Sequence, residues 1–433
     1  MMTSPALASG PLSWQQESVV RSAATCGREC LWTAFEIPSD VSNDELISRL
    51  GRLVRREHSL RIVAVDPAGV GYADAIELPI RYARCSGPGG VPEFVARNKH
   101  VEFASGRPRW QLTIIDHRDP AGRPARSALA VFDFMIADMF SLALLRQELC
   151  TGVAPSAKRG AGRYREWVVR QRAEFDVDAV DAVSTARAFW DEHLGGASPS
   201  GSTPLPGVDD AAPDQVGGTV WLSVPVPMSA ADLAAAARRA KATPYTLAVA
   251  SVAATIATGT AEDDVTLRVI NSGRVPDAAA TFGRLATSTP IRLNRPGLAG
   301  FDVAVAEVRA AWRRVLPHQH TPWEYLRTVC AGRGVTEWEA AGQRQLVVNF
   351  FPAPADGLGA ADFADKRADL RMTHVELLVV PLVSGGFMFR MMCDSGDLDV
   401  ESVRRFLHVL ADGFTAHVRT VLSEDGRVPE PRR

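Results

Sequence analysis

Asp133 and Asp138 stand directly after an apolar run, Leu129–Phe132, and directly before a helical pattern. The segment reads Asp133-Phe134-Met135-Ile136-Ala137-Asp138-Met139-Phe140-Ser141, a D-x-x-x-x-D-x-x-S frame. A short apolar run followed by such a loop reads as a buried strand. Two carboxylates leaving a buried strand are costly to strip of water, so each needs a partner or a chemical task.

The rest of the chain is long enough to build a core around that loop. It has 433 residues, 46% hydrophobic and 23% charged, an ordinary globular balance. Length suggests two or three domains, or one large two-lobed unit. With 48 basic and 50 acidic residues, the net charge of −2 argues against a broad nucleic-acid-binding surface. No apolar stretch approaches the roughly 20 residues of a membrane helix. Met1–Gln16 shows no basic region leading into an apolar core, so no secretory signal is expected and the reading is cytoplasmic. The six cysteines lack paired C-x-x-C spacing, which gives no zinc signature and favours reduced thiols.

Helices are expected over 42–63, 141–150, 163–194 with a break near Asp176, from about Ser229, over 244–258 and over 400–420. Strands are expected at 108–116, 127–134, 219–224, 264–271, 288–294, 345–351 and 387–393. Gly195–Gly218, rich in Gly, Ser and Pro, is the candidate linker. Strands alternate with helices in both halves, which fits α/β layers divided near residue 180 into 1–180 and 181–433.

The D-x-x-x-x-D-x-x-S frame resembles the active-site signature of condensation domains from nonribosomal peptide synthesis, in its heterocyclisation form. Most of that family carries H-H-x-x-x-D-G there; Asp133 and Phe134 replace both histidines and Met139 replaces the glycine. Further pieces follow in the family's order. Pro11-Leu12-Ser13-Trp14-Gln15-Gln16 resembles L-S-x-x-Q, and Arg56-Glu57-His58-Ser59-Leu60-Arg61 resembles R-H-E-x-L-R with His and Glu interchanged. Tyr164 to Arg172, Gly273-Arg274, Gly283 to Leu293, His318 to Glu324 and Val347 to Phe350 each resemble a later family segment.

The resemblance implies two chloramphenicol-acetyltransferase-like lobes in a V-shaped pseudodimer, with a tunnel at the junction. It implies partner carrier proteins that deliver thioester substrates on phosphopantetheine arms, with no cofactor of the chain's own. Other synthetase modules or a tailoring enzyme are further partners. Length matches a single such domain, so a stand-alone unit or one cut from an assembly line is expected. Asp138 then pairs with Arg274 from the second lobe, and Phe134, Met139, Ser288, His318 and Trp323 become candidates to line the tunnel.

Asp133 is either a general base within reach of an attacking amine or thiol, or a loop anchor binding backbone N–H groups. Asp138 is either the partner of Arg274 or a helix N-cap. Ser141 is either a cap or a hydroxyl facing substrate. The heterocyclisation branch relies on a late Thr and an Asp; here Asn349 occupies the first region, and near the second stands Glu376. His318 and His320 form a weak metal signal, better explained as a loop before Pro322. Leu194-Gly195-Gly196-Ala197-Ser198 mimics a carrier-protein signature, but a Pro/Gly/Ser-rich stretch follows, so Ser198 reads as a loop residue.

Three functions compete. The first is an enzyme acting on carrier-bound acyl or aminoacyl thioesters, forming an amide and cyclising a Cys, Ser or Thr side chain, with Asp133, Ser141 and Asn349 as its catalytic candidates. The second is a catalytically silent scaffold that recruits a carrier or a tailoring enzyme. The third is an acyltransferase using a soluble acceptor.

Overall fold

The computed structural model describes residues 8–26, 30–87, 90–154, 163–176, 184–195, 203, 205–215, 217–329, 345–350, 375–382 and 385–423. Two compact units emerge. Unit 1 comprises Met1–Val183 with two later segments, Ser272–Thr287 and Pro322–Tyr325; unit 2 comprises Ser184–Asn271, Ser288–Thr321 and Leu326–Arg433. Each is a mixture of helices and sheet.

Unit 1 opens with β1 (Ala8–Gly10), α1 (Trp14–Cys26), β2 (Cys30–Glu36) and α2 (Asn43–Arg56). Ser42 caps α2 by accepting from Glu45 N, acidic residues fill its first turn and arginines its last. Leu46, Leu50, Leu53 and Val54 form its buried stripe. The periodicity suggested a helix running to residue 63, but it ends at Arg56. Glu57 is buried and its carboxylate accepts from Arg56 Nε at 2.8 Å and Phe282 N at 3.1 Å. Beyond it, Ile62, Val63 and Val65 favour a strand.

There follow β3 (Ile62–Asp66), β4 (Gly69–Tyr72), β5 (Ile80–Arg84), α3 (Gly90–Asn98), β6 (Trp110–Arg118), β7 (Pro124–Asp133), α4 (Met139–Thr151) and α5 (Tyr164–Glu174). A small sheet has the order β1-β4-β3, and a four-stranded sheet the order β2-β7-β6-β5. β7 is antiparallel to both neighbours, and its residues from Ala128 to Phe132 are essentially inaccessible. Being covered on both faces is why Leu129–Phe132 reads as a continuous apolar run instead of an alternating one.

Unit 2 contains α6 (Ser184–Leu194), β8 (Thr219–Val226), α7 (Ala230–Arg239), α8 (Pro244–Thr258), β9 (Asp264–Asn271), β10 (Thr287–Asn294) and α9 (Phe301–Val315). After the short helix α10 (Trp323–Val329), which begins in unit 1, come β11 (Leu346–Phe350), β12 (Val375–Pro381), β13 (Phe387–Asp394) and α11 (Val400–Ser423). Six strands form one sheet in the order β10-β9-β11-β12-β13-β8, parallel across β9, β11 and β12 and antiparallel from β12 to β8. Thr243 caps α8, with Pro244 at its first position.

The stretch expected to be a linker is not a free tether where it is described. Thr203 is 3% exposed; it donates to Thr266 O at 2.8 Å and accepts from Leu346 N at 2.9 Å. Asp210 pairs with Leu398 in an isolated bridge. Turn-rich composition marked irregular backbone, and hydrogen bonds to the sheet hold it.

Candidate functional site

β7 delivers Asp133 to the end of the sheet, next to the start of β6. Its backbone N donates to Arg109 O at 2.9 Å, continuing the ladder in which Trp110 faces Phe132. Arg109 Nε donates to Asp133 Oδ2 at 2.8 Å, and Arg109 Nη2 donates to the same oxygen. Asp133 Oδ1 accepts from Met135 N at 2.9 Å. Both side chains are 2% exposed. The carboxylate expected to carry proton transfer is therefore enclosed, with its charge balanced and both oxygens engaged. A general base needs hydrogen-bond reach to the proton it takes. This geometry matches the alternative in which Asp133 anchors the loop.

Asp138 performs both roles that the sequence left as alternatives. It caps α4, accepting from Ser141 N at 2.9 Å. Arg274 also grips it in a bidentate pair, Nη1 to Oδ2 at 2.8 Å and Nη2 to Oδ1 at 2.9 Å. Leu285 N and Ala286 N each add a bond to Oδ2 at 3.0 Å. Burial alone pushes this carboxyl up; the Arg274 charge and the converging donors outweigh it and hold the group below the usual carboxylate range. Arg274 lies within Ser272–Thr287, so the pair is internal to unit 1 instead of tying two lobes.

Ser141 follows neither expectation. Asp138 takes the cap, and Ser141, wholly buried, clamps the Ser272–Thr287 strap instead. Its hydroxyl accepts from Gly283 N at 3.0 Å and lies 2.9 Å from both Gly283 O and Asp138 Oδ1, with its single proton serving one of the two. Ser59 Oγ donates to Phe282 O at 2.8 Å and Gln15 Nε2 to Leu285 O at 3.3 Å, completing the attachment. Two glycines permit it. Gly273 has φ +60°, and a Cβ there would lie 1.8 Å from Leu285 O; a Cβ on Gly283 would enter the Tyr164 ring at 2.2 Å.

Phe134 and Met139 are half-buried and pack on the unit 1 core. The Arg284 guanidinium lies 3.7 Å over the Phe134 ring, and Arg274 lies 5.2 Å over Phe140. Where the resembled family places its second histidine, this chain holds a ring with no exchangeable proton beneath a cation. Trp323 also belongs to unit 1; it is 5% exposed and its N donates to Thr287 Oγ1 at 3.2 Å.

The remaining candidates fall in unit 2 and are placed on three separate contacts. Ser288 Oγ accepts from Arg268 Nε at 3.1 Å and Nη2 at 2.7 Å. Asn349 Nδ2 donates to Glu376 Oε1 at 3.0 Å across the parallel pair β11 and β12. His318 stacks on Phe189 at 4.1 Å, and His193 stacks on that ring at 5.4 Å. Burial, then the neighbouring His320, hold the His318 pKa below its ordinary value. Among the described residues no group of three or more His, Cys, Asp or Glu gathers as a metal ligand set. Ser198, Thr373 and His374 lie outside the described residues.

Sequence reasoning missed Arg109, Glu57, Arg284, Arg268 and Gln345. An arginine directly before the alternating strand pattern Trp110 to Ile115 was the available signal for Arg109. Local spacing gave the other four no role, because contacts that place them reach far along the chain: Glu57 to Phe282, Arg284 to Phe134, and Arg268 to Gln345.

No family model matches the chain. One curated relative, a probable non-canonical nonribosomal peptide synthetase, CymA, of Salinispora arenicola, is 26% identical over 321 residues. That match covers 68% of this chain and 4% of the relative, so the chain spans a small part of the relative's length. Among solved structures, SgcC5 of Streptomyces globisporus, complexed with a naphthyl ethanediol and sucrose, aligns at TM-score 0.72 and 17% identity, covering 94% of this chain and 98% of that one. The first condensation domain of the calcium-dependent antibiotic synthetase, with a substrate analogue, aligns at 0.66 and 20% identity, covering 96% and 99%. The X-domain complexed with OxyB from teicoplanin biosynthesis aligns at 0.63 and 17% identity, covering 99% and 100%. This chain carries the mixed α/β, chloramphenicol-acetyltransferase-like fold of the condensation domains of nonribosomal peptide synthesis.

Proposed function

We propose that this chain is a binding module of nonribosomal peptide biosynthesis. It recognises an acyl, aminoacyl or peptidyl group borne on the phosphopantetheine arm of a carrier protein and presents it to a partner module or tailoring enzyme. The observation that carries this reading is the motif loop: Asp133 is closed by Arg109, and Phe134 stands under Arg284 at the resembled family's histidine position. The loop has become a structural clasp. The likeness to an X-domain solved with OxyB supports it. Among the described residues no helix is long and apolar enough to cross a membrane, and a cytoplasmic site of action belongs to this proposal. The test pairs native mass spectrometry with a turnover assay using donor-loaded and acceptor-loaded carriers. The expected result is a complex with a loaded carrier and no condensation product. Product that depends on this chain overturns the reading.

A second reading keeps the enzyme, forming an amide and cyclising a side chain. The Asn349–Glu376 pair favours it, because a carboxylate oriented by an amide is suited to proton transfer. Under this reading Glu376→Gln abolishes turnover while Asp133→Asn acts on stability alone; equal turnover in the Glu376 variant rejects it.

A further inference from the structure

The four-stranded sheet of unit 1 ends on two edges that differ in cover. β2 forms one edge, and Leu31, Trp32, Ala34 and Phe35 of this strand are buried. β5 forms the other, and none of its five residues is buried. Tyr82 at its centre is 62% exposed, and Arg81 and Arg84 are exposed on either side of it.

Hydrogen-bond direction identifies the groups on the open side. β5 pairs in parallel with β6 and with no other strand of the sheet. Leu112 N donates to Pro79 O at 3.1 Å, and Cys85 N donates to Asp116 O at 2.9 Å. Successive residues of a strand turn their backbone N–H and C=O to opposite sides, so the odd-numbered residues from Pro79 to Cys85 face β6 and the even-numbered ones face away. Ile80 O, Tyr82 N, Tyr82 O and Arg84 N therefore form a row of alternating acceptors and donors along the edge. Ile80 N is satisfied locally, donating to Leu78 O at 2.8 Å. Among the described residues nothing pairs with the row.

Such a row is a template for an added strand, and proteins blunt it with proline, a bulge or charge. The β8 edge of the unit 2 sheet carries Pro225 within the strand; β5 has neither a proline nor a register shift. Charge is what β5 presents. Arg81 and Arg84 form no ion pair among the described residues, although Asp116 stands in register with Arg84. Pairing of β5 with a second copy of itself would bring two arginines from each chain onto one short ladder, which like-charge repulsion opposes. An acidic strand meets the same two charges favourably. It would set acidic residues three positions apart across from Arg81 and Arg84, and a β-branched residue across from Tyr82.

We propose that the open edge of β5 docks an extended acidic segment of a partner protein by strand addition. Ile80 O, Tyr82 N, Tyr82 O and Arg84 N supply the main-chain bonds. Arg81 and Arg84 select the acidic residues, and the Tyr82 ring packs on the apolar residue between them. The contact lies within unit 1, needs no loaded carrier, and stands whether or not the chain has turnover.

The probe is a fluorescein-labelled peptide, Thr-Glu-Val-Val-Glu-Thr, whose symmetric core suits a parallel or an antiparallel added strand. Fluorescence anisotropy with the full chain is expected to give a Kd below about 1 mM, weakened about tenfold or more when Arg81→Glu and Arg84→Glu are combined. Both replacements are at exposed positions, and far-UV circular dichroism confirms that the variant folds. N-methylation of alternate peptide residues should abolish binding for one set and spare the other, because only one set donates to β5. Hydrogen exchange should slow at the amides of Tyr82 and Arg84 when the peptide binds. A Kd weaker than about 1 mM, equal binding of the peptide with Lys in place of Glu, a double variant that binds as the parent does, two N-methyl sets with the same effect, or unchanged exchange at Tyr82 and Arg84 would each overturn the proposal. Self-association of the full chain in sedimentation velocity that Tyr82→Pro abolishes would also overturn it, assigning the edge to a second copy.

Discussion

Arg109 and Asp133 form an ion pair with both side chains 2% exposed, joined at the place where the ladder between β6 and β7 ends. Removing one member of such a pair leaves a buried charge without its counterion, typically costing about 3–5 kcal/mol. Asp133→Asn is therefore expected to lower unfolding free energy in urea by about that amount. The double replacement Arg109→Met with Asp133→Leu is expected to recover most of the loss, because two apolar side chains leave no unpaired charge. A single variant as stable as the parent would show that the pair does not hold the loop.

Asp138 accepts from Arg274, Ser141, Leu285 and Ala286, so Asp138→Ala leaves Arg274 and several backbone donors unmet at once. Its destabilisation is expected to exceed that of Ser141→Ala. The carboxyl is held below its ordinary value in the folded chain. Its contribution is thus fully present above about pH 3.9, the unfolded value, and is lost as pH falls through the folded value. In acid unfolding monitored by fluorescence, Asp138→Asn should lose the part of the transition that lies in this range. Superimposable parent and variant curves, after correction for overall stability, would reject the assignment.

Gly283 lies against the face of Tyr164, and a Cβ at this position would sit 2.2 Å from the ring. Gly283→Ala must displace either the ring or the strap that carries Arg274 and Arg284. The expected cost is about 1–3 kcal/mol, the usual range for forcing extra volume into a packed site. Tyr164→Leu in the same background should relieve part of it. Additive losses in a double-mutant cycle would show that the two residues do not share this contact.

The motif was legible because its determinants are local: a run covered on both faces, then two carboxylates five residues apart. The helix expected over 244–258 was legible for the same reason, since Thr243 and Pro244 start it locally. Arg109 was not, because its pairing with Asp133 depends on the register of β6 against β7. Glu57 sat inside a good helical pattern, and its bond to Phe282 N, 225 positions away, is a contact that local spacing does not show. The strand Val375–Pro381 escaped notice because, in the middle of its sheet, it lacks the alternation that marks a half-exposed strand; Cys30–Glu36 is an edge strand, but both of its faces are largely covered, so it lacks that alternation too. The frame Asp133 to Ser141 suggested chemistry, while the groups that occupy its polar atoms came from remote segments.

His193 stacks on Phe189, and burial, followed by the charges of Arg314 and Arg292, pushes its pKa down to about 4. In the unfolded chain the group titrates near 6.5. Between these values the unfolded chain holds a proton that the folded chain does not, so the stability His193 contributes is complete above about pH 6.5. It declines as pH falls toward about 4, at up to about 1.4 kcal/mol per pH unit, and changes no further below that. His318, which also stacks on the Phe189 ring, and His417, beside Ser251, are held low by burial as well and act in the same direction. The full chain should lose thermal stability between pH 6.5 and 4.5, and His193→Leu should show a smaller loss over that interval, whatever its stability at neutral pH. The comparison is made by differential scanning calorimetry on both proteins at matched ionic strength. Parallel dependence of Tm on pH in the two proteins would mean that the His193 site is not buried as the stack with Phe189 requires.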